Sequence, residues 1–382
     1  MGNPITSAMQ SAVEDRIFPG AVLLVHFRRQ PVYCGAFGCA AVIPQPVPAT
    51  LDTLYDLASL TKPLATATGI VSLIQDRMVD FDDALETYVE DLHGTEIGAA
   101  TVRRLLHHSS GLPGWQPLYQ DIAAEERQHP GFLGSDAAKK FAIASIAREP
   151  LVYQPGSKSL YSDLGFILLG LLIERVTGLS LAQFCKERIY QPLGIQCLLF
   201  VPRTVDQSGL DGESLIPAPI APTENDPWRR RLLCGEVHDE NAYALGGIAG
   251  HAGLFGTAAA VMALADAWMN GYLGRDSFWP SDLIRRFAGR DSNTPESSWG
   301  LGWDTPSPPS SSGRHLSPRS FGHLGFTGTS LWIDPESELT VVLLSNRVHP
   351  TRQNTSIQRF RPLIHNVIYE TIVGNVEGGS VT

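Results

Sequence analysis

The sequence predicts a mixed fold of the α/β (α+β) kind. One antiparallel sheet is built from both ends of the chain and flanked by helices, with a mostly helical lobe inserted between its two contributions. Three observations lead there. Apolar, β-branched runs of strand length occupy residues 20–26 and 32–37 near the start, and 329–333 and 339–344 near the end. Between them apolar residues recur at helical spacing. No internal repeat divides the 382 residues, a length that suits one large core or two lobes sharing an interface. The expected organisation is a single domain over 1–382, with 1–80 and 295–382 forming the α/β lobe and 81–294 the mainly helical lobe.

Taken in order, Arg28-Arg29-Gln30-Pro31 breaks the first apolar run and turns it into a hairpin. A helical pattern runs from Ser59 to about Gln75, with Pro63 tolerated in its first turn. Helix spacing continues over 102–107, 137–147, 164–176, 181–190 and 258–268, joined by Gly/Pro-rich connectors at 111–117 and 217–227. A Pro/Ser-rich loop covers 305–318. Asp334-Pro335-Glu336-Ser337 turns the last strand pair, and a helix over about 357–372 closes the chain.

Composition narrows the function. Hydrophobic residues at 43% and charged residues at 18% describe an ordinary globular protein, and a net charge of −10 argues against a nucleic-acid partner. The one dense basic run, Arg229-Arg230-Arg231, follows Pro227-Trp228 in a polar stretch and reads as a solvated loop. No run of 18 apolar residues suggests a membrane span. Residues 1–14 show neither an apolar signal core nor a cleavage site, so the sequence as written is expected to be cytoplasmic, or periplasmic or extracellular if an export signal has been removed. Met1 to Thr6 matches the N-myristoylation pattern formally, with no basic patch to support it. The five cysteines form no Cys-x-x-Cys pair, and His107-His108 and His238-Asp239-Glu240 are sequence neighbours that point different ways. No metal and no cofactor are expected. The expected partner is a small-molecule or peptide substrate.

The chemistry starts at Ser59-Leu60-Thr61-Lys62. Of five lysines, Lys62 alone follows a serine by three residues, which puts the amine on the same helix face as the hydroxyl it would activate. Tyr161-Ser162-Asp163 opens the apolar 164–176 segment. Asp163 reads as that helix's N-cap and Tyr161 as a packing residue, or else Tyr161 is a general base whose pKa a nearby ammonium lowers. His323-Leu324-Gly325-Phe326-Thr327-Gly328-Thr329 opens the last hairpin. Its glycines mark a strand edge that a backbone or ligand approaches closely, where a free N–H can stabilise an oxyanion.

These three segments, in this order, resemble the S-x-x-K, Y-x-N (or Y-S-D) and K-T-G (or H-x-G) motifs of the serine β-lactamase and penicillin-binding-protein superfamily. The likeness is greatest to its class C β-lactamase, DD-peptidase and esterase branch. Segments 18–22, 101–112 and 326–335 resemble the same branch, and the likeness runs from about Gly20 to Tyr369. The resemblance implies a β-lactamase/DD-peptidase-like fold and a serine hydrolase that forms an acyl-enzyme. Its substrate is an amide or ester: a β-lactam, a D-Ala-D-Ala-type peptide or a carboxylic ester. By the same resemblance Ser59 is the nucleophile, Lys62 holds or relays its proton, and Tyr161 is base and then acid, the choice of base between the last two staying open. The backbone N–H groups of Ser59 and Phe326 make the oxyanion hole, and Asp163 orients Lys62 and contacts substrate.

Where Lys-Thr-Gly is usual, this chain has His323-Leu324-Gly325, so a pH-dependent charge replaces a fixed one and a hydroxyl is lost. Arg347 is the expected replacement cation. The glycine-rich 235–255 segment lacks a P-loop lysine, so it reads as a tight loop lining the cleft, with His238 and Asp239 as candidate substrate contacts. The alternative from another class is a catalytically retired family fold that serves as a binding module.

Overall fold

The computed structural model describes residues 2–203, 219–291 and 294–378, with side chains to 374. Its strands in chain order are β1 (Gly20–Phe27), β2 (Gln30–Ala41), β3 (Val47–Pro48), β4 (Tyr55–Asp56), β5 (Leu198–Phe200), β6 (Asn225–Asp226), β7 (Arg231–Leu232), β8 (Leu254–Gly256), β9 (Phe321–Leu324), β10 (Ser330–Asp334) and β11 (Leu339–Ser345). The α-helices are α1 (Pro4–Glu14), α2 (Thr68–Gln75), α3 (Val102–Leu106), α4 (Leu118–Gln128), α5 (Asp136–Ala147), α6 (Asp163–Thr177), α7 (Leu181–Cys185), α8 (Glu240–Ala244), α9 (Ala258–Leu273), α10 (Ser281–Ala288) and α11 (Ile357–Gly378).

Six strands form one antiparallel sheet in the order β3–β2–β1–β11–β10–β9. The first hairpin meets the last in its middle, with β1 against β11 in a register from Ala21↔Ser345 to Phe27↔Leu339. Side-chain alternation explains why both faces are covered. On β11, Leu339, Val341 and Leu343 enter a core with Phe360, Ile364 and Ile368 of α11 and Ile5 and Met9 of α1. Val342 and Leu344 face the other way, into a core shared with α2, α6 and α9. Each such aliphatic contributes roughly 1.5–3 kcal/mol when fully buried, so neither terminus can leave the sheet without exposing a whole face.

Some local expectations differ from the structure. The 59–75 helix is in fact a 3₁₀ turn (Ala58–Leu60), a π-helical turn (Lys62–Ala67) and then α2. Pro63 has no N–H to offer a continuous ladder, and Thr68 Oγ1 donates to its carbonyl at 2.7 Å. The 181–190 segment is likewise α7 followed by a π-helical turn over Lys186–Tyr190. The last strand pair is part of a three-stranded meander, because His323 and Leu324 end a strand of their own. Helix α1 was not anticipated, although Asn3 Oδ1 caps it by accepting the Ile5 N–H at 2.9 Å and Pro4 sits at its first position. The connector expected at 217–227 lies partly outside the described residues. No single helix among the described residues is long and apolar enough to cross a membrane.

Candidate active site

Ser59 follows Ala58, which holds a left-handed φ of 47°. That conformation costs a non-glycine residue about 1 kcal/mol or more, and neighbouring bonds fix it in place. Buried Asp56 accepts the Ala58 N–H at 2.9 Å and the His238 N–H at 2.7 Å. Thr327 Oγ1 donates to Asp56 O at 2.7 Å and Thr329 Oγ1 to Leu57 O at 3.0 Å, fastening the β9–β10 turn to the Ser59 loop. Gly325 makes this approach possible, since a Cβ there would lie 2.5 Å from Leu57 O.

Lys62 is fully buried, and its Nζ donates to Ser59 Oγ at 3.0 Å and to His251 O at 3.1 Å. Asp163 Oδ1 lies 2.7 Å away, and the Tyr161 ring centroid 4.8 Å away. Burial pulls the Lys62 pKa down, but the charge of Asp163 and the contact with Tyr161 outweigh it, so the amine rests as an ammonium. Ser162, rather than Asp163, caps α6; its Oγ accepts the Gly165 N–H. That leaves Asp163 at the first helical position, free to pair with Lys62.

Tyr161 interacts with both Lys62 and Ser59. Its ring stacks on Trp299 at 5.3 Å and packs against His108 at 4.7 Å. The expectation of a lowered tyrosine pKa is corrected here. Burial raises it, and this exceeds the opposing effect of the Lys62 charge, so Tyr161 rests as a neutral phenol.

Ser59 and Tyr161 open onto a cleft of about 580 Å³, whose wall also includes Trp299, Asp304, His323 and Gly325. Phe326, half exposed, Arg347, Arg352 and Arg361 line it as well. Among the described residues the Phe326 N–H donates to no group of the chain.

His323 requires a second correction. It is only 3% exposed, its Nδ1 lies 2.8 Å from Leu324 O, and burial pushes its pKa down to about 3. A depressed histidine is charged only below its folded pKa, so His323 is neutral throughout the range where a carboxylate needs a cation. Consequently the ratio of kcat/KM for a carboxylate-bearing substrate to that for a neutral ester should show the same pH profile in wild type and His323→Gln. A wild-type inflection at about pH 6.5 that vanishes in the variant would refute this.

Arg347 reaches the cleft but is also structural. Its Nε donates to Phe326 O at 2.9 Å, and its Nη1 to Arg352 O and Asn354 O, both at 2.8 Å. His238 does not belong among the substrate contacts. It is buried, its Nε2 lies 3.0 Å from Glu224 Oε2, and its ring stacks beneath Phe326 at 5.6 Å. Asp239 caps α8 and pairs with His251 at 2.8 Å. The 235–255 segment therefore braces the wall behind Lys62, which accounts for the His251 carbonyl at its amine. Among the described residues no cluster of ligating side chains could hold a metal.

Sequence reasoning missed Trp299, His108 and Arg361. Nothing marked Trp299, which sits in an isolated β-bridge with Asp304. Arg361 carried a signal, since Ile357, Arg361, Ile364 and Ile368 lie on one buried stripe of α11.

A serine held by a buried lysine, beside a tyrosine and at the mouth of a cleft edged by the end of β9, defines a serine hydrolase. The chain belongs to the β-lactamase family, whose model matches residues 5–364. It is 35% identical over 362 residues to the Escherichia coli (strain K12) protein named "Putative D-alanyl-D-alanine carboxypeptidase", covering 87% of this chain and 79% of that one. A protein of the same name from Salmonella typhi is 32% identical over 347 residues, covering 85% and 76%. Among solved structures it superposes on "EstCE1, a hydrolase with promiscuous acyltransferase activity" with a TM-score of 0.72 at 20% identity, covering 96% of this chain and 97% of that one. It also superposes on the octameric penicillin-binding protein homologue from Pyrococcus abyssi, with a TM-score of 0.69 at 21% identity, covering 94% and 76%. These two likenesses concern the fold.

Proposed function

We propose that this protein is a serine carboxypeptidase that forms an acyl-enzyme on Ser59 with peptides of the D-Ala-D-Ala type. The observation that carries the reading is the Ser59–Lys62–Asp163–Tyr161 cluster at the cleft, with Lys62 Nζ 3.0 Å from Ser59 Oγ. Ser59 Oγ attacks the scissile carbonyl carbon, forming a C–O bond, and the developing oxyanion takes hydrogen bonds from the N–H groups of Ser59 and Phe326. Tyr161 accepts the Ser59 proton while passing its own to the leaving nitrogen as the C–N bond breaks. This relay suits a phenol that rests neutral, because no phenolate has to accumulate. Lys62 remains an ammonium, oriented by Asp163, and stabilises the charge that passes over Tyr161. Water then attacks the acyl carbon, giving a proton to Tyr161 as Tyr161 returns its own to Ser59 Oγ, and the acyl C–Oγ bond breaks to release the acid and regenerate Ser59.

The substrate class follows from cleft charge and from the names of the relatives. Arg352 is paired with Glu224 and Glu240, whereas Arg347, on the same cleft, forms no ion pair among the described residues. An unpaired guanidinium facing a cleft favours an anionic group, such as a peptide's terminal carboxylate. It takes over the task that the neutral His323 cannot perform.

The test is intact-mass analysis after separate incubation with a D-Ala-D-Ala peptide, a penicillin and a p-nitrophenyl ester, with release of D-Ala followed in parallel. A Ser59-linked peptidyl adduct and D-Ala release are expected. An adduct from the ester alone would make the protein an esterase. No adduct from any of the three, with no labelling by a fluorophosphonate probe, would leave the binding-module reading.

A further inference from the structure

A trans peptide unit is planar, so its C=O and the following N–H point in opposite directions. Gly325 C=O and Phe326 N–H belong to one such unit. Arg361 projects from α11 to the turn joining β9 to β10, and its Nη2 donates to Gly325 O at 2.8 Å and to Thr329 O at 2.7 Å. The Gly328 N–H donates to the same Gly325 oxygen at 3.1 Å, and the Gly325 N–H closes the turn on Thr329 O at 2.8 Å. With its oxygen held by the guanidinium, this unit can present the Phe326 N–H only on the other side. There it is unclaimed by any group of the chain among the described residues, beside the cleft that Ser59 and Phe326 both line. Arg347 secures the next peptide unit by donating to Phe326 O at 2.9 Å.

The environment of Arg361 shows that stability alone does not explain it. It is 5% exposed, forms no ion pair among the described residues, and leaves its buried Nε unpartnered. A cation in that setting is costly, whereas an apolar residue on the same helix stripe would pack at no such cost. What the charge supplies is a donor that both orients the peptide and polarises it, and a carbonyl bonded to a cation makes the amide at its other end a stronger donor.

We propose that Arg361 is a positioning residue for the oxyanion hole. Holding Gly325 O, it aims and strengthens the Phe326 N–H toward the oxygen that gains charge when Ser59 attacks. This inference rests on the acyl-enzyme reading above, and it differs from a role as ligand to the substrate carboxylate. A ligand matters only for anionic substrates, whereas an oxyanion positioner matters for every acyl group.

The experiment compares wild type with Arg361→Gln and Arg361→Lys, each checked for folding by circular dichroism. Lysine keeps the charge and the apolar stem, but its Nζ stops about one bond short of the Nη2 position and lacks the planar fork. For a neutral ester, kcat should fall by about ten- to a hundredfold in Arg361→Gln and less in Arg361→Lys, with KM nearly unchanged, since losing an oxyanion donor outright costs about a hundred- to a thousandfold. The carbonyl band of the acyl-enzyme should move to higher frequency in infrared difference spectra, reporting a weaker hydrogen bond to the acyl oxygen. Loss of fold alone would not move that band in the folded fraction. A wild-type band and wild-type ester kcat in either folded variant would overturn the inference. So would a loss confined to carboxylate-bearing peptides. If the wild-type enzyme forms no acyl adduct at all, the proposed function fails along with it.

Discussion

Ser59→Ala should abolish hydrolysis and every acyl adduct while leaving the fold intact. The hydroxyl is the only atom lost, and the groups around it, Lys62 above all, keep their other partners. Loss of a nucleophile or of its proton partner costs on the order of a millionfold in hydrolases that use such a relay, and combining the losses adds little. Lys62→Ala should therefore be nearly as inactive, and the double variant no worse. The lysine change has a second consequence that the serine change lacks. It strips the partly buried Asp163 carboxylate of its cation, which costs about 3–5 kcal/mol when such a pair is broken from one side. Adding Asp163→Asn should restore much of that stability and none of the activity. Steady-state hydrolysis, intact-mass analysis and urea unfolding of the four variants check these points together. Turnover by Ser59→Ala within about tenfold of wild type, a barrier change of only about 1.4 kcal/mol, would remove Ser59 from the chemistry.

Tyr161→Phe should lower kcat for an amide or peptide substrate by about a hundred- to ten-thousandfold, the usual contribution of a positioned proton donor and acceptor. An amine leaving group must be protonated as the C–N bond breaks, and in the proposed relay the phenol delivers that proton. A p-nitrophenyl ester expels a stable anion and needs no such delivery, so its deficit should be much smaller. The ring itself stays packed on Trp299 and His108, so the variant should fold. The comparison also bears on the choice of base. Lys62 rests as an ammonium paired with Asp163 and has no vacancy for a proton, whereas Tyr161 can accept one while releasing another. Equal losses for amide and ester would argue that Tyr161 only positions Lys62.

Much of this was legible in the chain, and for identifiable reasons. Strands such as Leu339–Ser345 announce themselves through runs of β-branched and aliphatic residues, and α6 through a long apolar segment closed by Gly178. The Ser59–Lys62 pairing rests on a three-residue spacing, and the order of the three motifs is itself sequence information. Less was visible where a local rule met a distant partner. The break at Pro63 and the π-helical turn depend on Thr66 reaching Gly250 O and Thr68 reaching back to Pro63 O.

The sequence by itself determined the two-ended sheet, the inserted helices, the candidate serine, lysine and tyrosine of the site, and the family that shares them. Only the tertiary structure decided how each of these groups is charged and which others join them. His323 is neutral because the fold buries it, and Tyr161 stays protonated because burial outweighs the nearby ammonium. His238 is withdrawn from the cleft by Glu224, which lies across a hairpin from it, while Arg361 enters on α11, from the far end of the chain. The physical reason is common to all four. Spacing along a helix or strand is set by bonds within a few residues, whereas desolvation, ion pairing and the aim of a peptide N–H are set by atoms that only the folded chain brings within reach.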